Sequence, residues 1–261
     1  MVYVKGPFIY AVSFVNSLTA GKDDSEKTDY LFDFLLKEIE NHGGCLEDVI
    51  AVQKFVAKNY DNSITKDTYS KYFKSIKPSY TVVTMDNLLE CGGDAEDTCR
   101  IMVVAVKGCS KGEMFNGKPL DRITYASGSP LEEIMGYSRA VKAGPFVLVG
   151  GTTSVLPDKT VYGNGNSKMQ DEFIWKKITD FAFKAGAKEA DIVKVKKFVT
   201  PQYRSSGVLM PSENCSAPLT QTVSVQKLTR EGQLEEVELF AVAGSSSDKD
   251  LRECVSYFDL F

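Results

Sequence analysis

The hydrophobic pattern of this chain moves between two rhythms. Short apolar runs beside Gly-Pro turns read as strands, and apolar residues at every third or fourth position read as helices. The stretch 136–153 sets the frame. A polar entry at Tyr137-Ser138-Arg139 leads into a small apolar run, the turn Ala143-Gly144-Pro145, and then Phe146-Val147-Leu148-Val149. Two strands around a tight turn are expected there. Gly150-Gly151 then leaves the backbone unshielded, as at a bulge or a close approach by a ligand or a neighbouring chain. Leu31, Leu35 and Ile39 share one stripe over residues 29–41, as do Ile174, Ile178 and Ala182 over 171–185, so both stretches are predicted amphipathic helices. Gly43 and Gly186 follow them, where a left-handed C-cap favours glycine. In the strand predicted over 192–199, Val193 and Val195 alternate with Lys194 and Lys196, which predicts one apolar face and one wet face.

The same succession occurs twice. Lys5-Gly6-Pro7-Phe8-Ile9 is echoed by Ala143-Gly144-Pro145-Phe146-Val147, and the segment 43–56 by 186–199. Pro78-Ser79-Tyr80-Thr81 is echoed by Pro218-Leu219-Thr220-Gln221, and Arg100-Ile101-Met102-Val103 by Glu238-Leu239-Phe240-Ala241. The four matches keep their order at a spacing of about 140 residues, the mark of an internal duplication. Each copy opens with a hairpin, continues through helix, strand and helix, and closes with two strands. The expected fold class is therefore α+β, two tandem ββαβαββ modules with helices on one face of each sheet. In the first copy the second helix spans 66–75, with Tyr69, Tyr72 and Phe73 on one side. Its counterpart, 201–217, carries Ser205-Ser206-Gly207 and Pro211 and reads as a loop. The expected boundaries are a first module at 1–108, a Gly- and Lys-rich linker at 109–126, a second module at 127–245 and a tail at 246–261.

Composition narrows the function classes. With 43% apolar and 25% charged residues in 261, the chain suits a globular protein. A net charge of −4 does not suit a phosphate-backbone binder, so nucleic acid is not an expected partner. No apolar run approaches the roughly 20 residues that span a bilayer, and the opening MVYVKGPFIYAVSF reads as strand rather than as a leader. The six cysteines lack CxxC spacing and His42 is the only histidine, so no metal site and no cofactor are expected. Scattered thiols fit a reduced, cytoplasmic setting.

The second copy resembles the RidA/YjgF family, whose names include L-PSP endoribonuclease. The resemblance is carried by Ser129-Pro130-Leu131-Glu132-Glu133, Gly136-Tyr137-Ser138-Arg139-Ala140-Val141, Gly150-Gly151-Thr152-Thr153, Gly186 with Asp191-Ile192-Val193, and the closing 237–243. The first copy resembles it more weakly, through Gly43, Asp48-Val49-Ile50 and Pro78. It implies a RidA/chorismate-mutase-like fold, trimeric assembly with ligand pockets in clefts between subunits, and hydrolysis of amino-acid-derived enamines or imines to keto acids and ammonia. In deaminating members an arginine two residues after a proline clamps the substrate carboxylate, because its fork pairs both oxygens. The matching positions here are Tyr80 and Thr220, so this chain is similar to the branch that lacks the arginine. The family's last-strand glutamate, which positions water or moves a proton, falls at Glu238, with Arg100 in its place in the first copy. The family's first-strand tyrosine falls at or beside Ser138, and a second-strand serine becomes Gly150 or Val12.

Each candidate carries two readings. Glu238 is a general acid/base in an interface cleft, or a solvated residue on the polar face of an edge strand. Arg139 takes over the anion clamp, or pairs with Glu132 or Glu133. Arg100 binds a carboxylate, or pairs with an acid across a module interface. Tyr137 stacks on a ligand or packs; Thr152 and Thr220 donate hydroxyls to a ligand or are ordinary strand threonines. Cys215 is a nucleophile only beside a base. The basic stripe Lys194, Lys196, Lys197 reads as a solvated face. Three functions stay open: an imine or enamine hydrolase acting through Glu238, a binder of a small carboxylic or carbonyl metabolite without turnover, and a scaffold, with the family name's endoribonuclease activity as a further alternative. Self-association as a homotrimer of two-module chains is one closed assembly, and a monomer with paired sheets is the other.

Overall fold

The computed structural model describes residues 1–14, 21–86, 88, 97–205 and 218–258. Two sheets carry one topology. The first has the order β1-β2-β5-β3-β4, built from β1 (Val2–Lys5), β2 (Phe8–Phe14), β3 (Val49–Ala57), β4 (Ser79–Met85) and β5 (Cys99–Val106). After a small hairpin, β6 (Met114–Phe115) and β7 (Lys118–Pro119), come β8 (Arg122–Tyr125) and the short helix α3 (Pro130–Met135). The second sheet has the order β12-β11-β13-β10-β9-β8, with β9 (Ala140–Ala143), β10 (Phe146–Thr152), β11 (Ile192–Val199), β12 (Leu219–Ser224) and β13 (Glu235–Val242). Without β8, the two orders are the same permutation of hairpin, closing strand and parallel pair. The duplication and the α+β class are thus present in the connectivity itself.

The helices start earlier than the apolar stripes alone suggest. α1 spans Asp24–Asn41 and α4 spans Ser167–Lys184. Asp23 caps α1 with a capping box to Glu26, and the Asn166 side chain accepts from the Met169 amide of α4. These caps satisfy first-turn amides and extend each helix ahead of its apolar face. Gly43 and Gly186 follow with φ of +84° and +94°, as the C-cap reading requires. α2 (Thr65–Phe73) and α1 cover the outer face of the first sheet, burying Leu31, Phe32, Leu35, Tyr69 and Phe73 against Val52 and Val103. α4 covers the second, burying Ile174, Ile178 and Ala182 against Val195 and Leu239. The segment 201–205 has no helix or strand, and 206–217, which holds the rest of the expected loop and Cys215, lies outside the described residues, as does Cys91.

The inner faces of the sheets pack on each other within one chain. Equivalent positions meet: Phe8 with Phe146 at 4.8 Å between ring centroids, Phe55 with Phe198 at 6.0 Å. The contact is not symmetric, however. β4 is mostly buried, whereas its counterpart β12 is exposed along nearly all its length. On the open side, α5 (Lys249–Glu253) and the turn after it set Leu251, Cys254 and Phe258 on Phe8, Phe146 and Phe240. The segment 109–126 is more than a connector, since β8 pairs with β9 and Arg122 donates to the backbone oxygens of Val49 at 3.0 Å and Ile76 at 2.6 Å.

This packing overturns two expectations. The lysine face of β11 is not wet: Lys194 and Lys196 are 3% and 5% exposed, and Lys197, on the opposite face towards α4, is 6% exposed. Alternation marks two different faces but does not say what covers them; here the charged face meets the other module. Nor is Glu238 on an edge strand, since β13 lies between β11 and β10.

Candidate functional site

Where the inner faces meet, two apolar clusters are separated by a polar band. Met102, Val104, Leu148 and Phe240 belong to one cluster, and Phe55, Val83, Phe198 and Val225 to the other. Between them lie Gln53 of β3, Thr81 of β4, Lys196 of β11, and Glu236 and Glu238 of β13. The two glutamates are two residues apart on one strand, so they share a face. That face is the inner one, because Phe240 continues it into the core.

Glu238 is held by the opposite module. Gln53 Nε2 donates to Glu238 Oε2 at 2.6 Å, and the Thr81 hydroxyl bonds to the same carboxylate. Thr81 Oγ1 in turn accepts from the Gly151 amide at 2.9 Å, and Gln53 Oε1 accepts from Lys196 Nζ at 3.2 Å. Gln53 and Lys196 are equivalent positions of the two copies, so the repeat contacts itself here. Burial pushes Glu238 above the usual carboxylate range, and Lys196, Thr81 and Gln53 oppose the rise. Glu236 is pushed up to about 8, by burial first and by Glu238 second, with Arg139 opposing. At neutral pH the band therefore holds a proton on Glu236 beside a hydrogen-bonded Glu238.

Glycine at two positions makes this geometry feasible. A Cβ on Gly150 would stand 3.2 Å from the Tyr80 amide nitrogen and 3.3 Å from its carbonyl oxygen. One on Gly151 would run into the Glu236 carboxylate. The register between β10 and β13 also shifts between Val149 and Thr152, a bulge. The visitor to the unshielded backbone is thus β4 of the other module.

The remaining candidates spread out. Arg139 donates from Nε to Glu132 Oε1 at 2.8 Å, from Nη1 to the Gly151 carbonyl at 3.3 Å, and from Nη2 to the Tyr137 hydroxyl at 3.2 Å. Its carboxylate partner is Glu132, as one reading expected, but that partner is only 1% exposed. Ser138 is buried and its amide donates to the Pro78 carbonyl at 3.0 Å. Thr152 is buried and donates to the Gly150 carbonyl at 2.9 Å. Tyr80 packs tilted against Tyr69, with ring centroids 4.0 Å apart, in the core of the first module, beside Tyr137 at 6.3 Å. Arg100 lies over the Phe55 ring at 5.3 Å. Thr220 is exposed on β12, away from the band. The band thus holds Glu238, with Arg139 acting on Glu236 and Gly150 beside it against the Tyr80 backbone, and leaves Thr220 out.

Sequence reasoning missed Gln53, Thr81 and Lys196, and gave Glu236 no role. The repeat alignment of Gln53-Lys54-Phe55-Val56 with Lys196-Lys197-Phe198-Val199 held the signal, since polar residues stand at matched positions just before a buried phenylalanine. It also missed a constellation kept in both copies. Lys54 Nζ donates to Tyr60 OH at 2.5 Å, and Lys197 Nζ bonds Tyr203 OH and pairs with Asp171 at 2.7 Å and Glu235 at 2.8 Å. Burial alone would lower Lys197, but Glu235 and Asp171 hold it above the usual lysine value, whereas burial lowers Lys54.

Residues 128–243 match the family model described as Endoribonuclease L-PSP. No curated protein matches the chain. Among solved structures, a Mycobacterium tuberculosis member of the YjgF/YER057c/UK114 family is 31% identical, covering 47% of this chain and 99% of its own, with a TM-score of 0.39. A Yersinia pestis protein of the Rid family is 25% identical, covering 46% of this chain and 98% of its own, with a TM-score of 0.40. The Escherichia coli YjgF gene product is 23% identical, with 46% and 92% covered and a TM-score of 0.37. Each such structure is the length of one module.

Proposed function

Since this chain belongs to the YjgF/YER057c/UK114 family, the family of its Endoribonuclease L-PSP match, we propose that it hydrolyses a small imine or enamine derived from an amino acid, using the carboxylates between its modules. The observation that carries the reading is the pair itself: Glu236, raised to about 8, beside Glu238, which Gln53 and Thr81 of the other module orient. A carboxyl that keeps its proton at neutral pH is suited to general acid work, and a fixed carboxylate beside it to general base work. In this reading Glu236 protonates the enamine carbon or imine nitrogen. Glu238 then takes a proton from the water that adds to the imine carbon. Return of that proton to nitrogen releases ammonia, and the carbinol hydroxyl gives its proton back to Glu236 as the carbonyl of the keto acid forms.

The substrate's acid end would meet Lys196 and Arg139, because Tyr80 and Thr220 stand where deaminating relatives carry their clamp. That substitution predicts weaker discrimination for carboxylate-bearing substrates. The second module carries the pair and the first supplies Gln53 and Thr81 that orient it, so this reading does not require a closed trimer. The endoribonuclease reading lacks support of this kind, because the basic stripe it would use is buried.

The test is keto-acid release from freshly generated amino-acid imines, wild type against Glu238→Ala and Gln53→Leu. Release well above buffer by wild type and lost in Glu238→Ala supports the proposal. Equal release by wild type, Glu238→Ala and buffer removes it, and leaves metabolite binding without turnover, which a ligand-dependent rise in melting temperature would reveal.

A further inference from the structure

We infer that Lys177 is a nucleophilic amine that captures small α-oxo acids as imines in the groove along α4. A groove of about 530 Å³ runs beside the helix, lined by Phe173, Lys177, Asp180 and Phe183 among others. Lys177 is half-buried there, unlike its neighbour Lys176, which is exposed. Its Nζ makes one long hydrogen bond, 3.4 Å to the Thr153 carbonyl, and lies 5.8 Å from the Phe173 ring centroid.

Among the described residues no carboxylate pairs with it. Asp180, the acid of the groove, is 2.6 Å from Lys184, and Glu132 is taken by Arg139 at 2.8 Å. Among the described residues, the fully buried lysines each have a polar partner at 3.3 Å or closer: Lys54 with Tyr60, Lys194 with the Phe258 carbonyl, Lys196 with Gln53, and Lys197 with Asp171 and Glu235. Lys177 instead faces apolar walls on one side and the Arg139 cation on the other. Burial, and then Arg139, lower it to about 8, with Glu132 opposing. At neutral pH about a tenth of such an amine is unprotonated, against roughly one part in several thousand for an ordinary lysine.

The chemistry of the site selects the ligand class. An unprotonated primary amine in a partly dry groove adds to carbonyl carbon. The exposed cation Lys176, which lines the same groove, favours a carbonyl compound that also bears a negative charge, the groove's acid Asp180 being paired with Lys184. The amine nitrogen adds to the carbonyl carbon, and its proton passes through solvent to the oxygen. The resulting carbinolamine loses water to give the imine, with no change of oxidation state. This inference does not depend on the hydrolytic reading of Glu236 and Glu238, and either can fail alone.

The test uses the full chain, glyoxylate and cyanoborohydride, which delivers hydride to the imine carbon and fixes the adduct, followed by peptide mapping. Lys177 is expected to label at least about tenfold faster at pH 7.4 than Lys176 or the exposed Lys37, since its larger free-base fraction is only partly offset by lower basicity. Lys177→Arg should remove this label with an unchanged melting temperature, and Lys176→Arg should leave it in place. Labelling of Lys177 no faster than that of Lys176 and Lys37 would overturn the inference.

Discussion

Replacing Glu236 by glutamine tests the electrostatics of the inter-module band directly. Its carboxyl moves from 4.5 to about 8 in the fold, through burial and then Glu238. Each tenfold in a proton equilibrium is about 1.4 kcal/mol, so ionising Glu236 in place costs up to about 5 kcal/mol more than in the unfolded chain. The folded value lies above the unfolded one. The fold therefore feels no penalty below pH 4.5, loses stability as pH rises towards 8, and is level above it with respect to this group. Glu235, also raised to about 8 by burial and then Asp171, adds a decline of the same sign. Glu238, raised by burial, adds a further decline of that sign, so Glu236→Gln keeps the shape and removes one of these declines. In urea unfolding at pH 5, 7 and 9, the variant should be within about 1 kcal/mol of wild type at pH 5 and more stable by several kcal/mol at pH 9. Curves for the two proteins that run parallel across this range would refute the reasoning.

Three further outcomes follow from the packing. Lys197→Met leaves Asp171 and Glu235 buried without their cation and should cost about 3–5 kcal/mol at pH 8, less at pH 5.5, and more than Lys54→Met, whose lysine has no paired carboxylate; urea unfolding measures all three. Gly150→Ala should cost about 1–3 kcal/mol, because its Cβ presses on the backbone of Tyr80 rather than on a side chain that can move; thermal unfolding checks it. Phe258→Ala should cost about 3–5 kcal/mol and increase binding of a hydrophobic dye, since Phe258 closes the open end of the inner core against Phe8, Phe146 and Phe240.

Much of the fold was legible because its signals are local. The Gly-Pro turns, the apolar stripes of α1 and α4 and the C-cap glycines each depend on neighbours in sequence. Their ordered recurrence revealed the duplication without any knowledge of contacts. The candidate site was less legible because it is made between modules. Alternation separated Val195, which lies under α4, from Lys196 on the inner face, but a bulge between Ile192 and Lys194 sets Val193 against the inner cluster as well, and the covering of Lys196 came from Gln53, Phe55 and Phe198. Glu238 was singled out by family resemblance alone. Its partners are residues whose type carries no catalytic signal, a glutamine and a threonine on the other copy. Glu236 looked like one acid among three at 235–238, and only its burial beside Glu238 sets it apart.

The pH profile of imine hydrolysis, measured as keto-acid release by wild type and Glu236→Gln, puts most at risk. If a proton on Glu236 between the two modules drives the reaction, wild-type release falls as pH rises through about 8, and the variant is slow without that fall. Equal rates and the same profile for both proteins would contradict it.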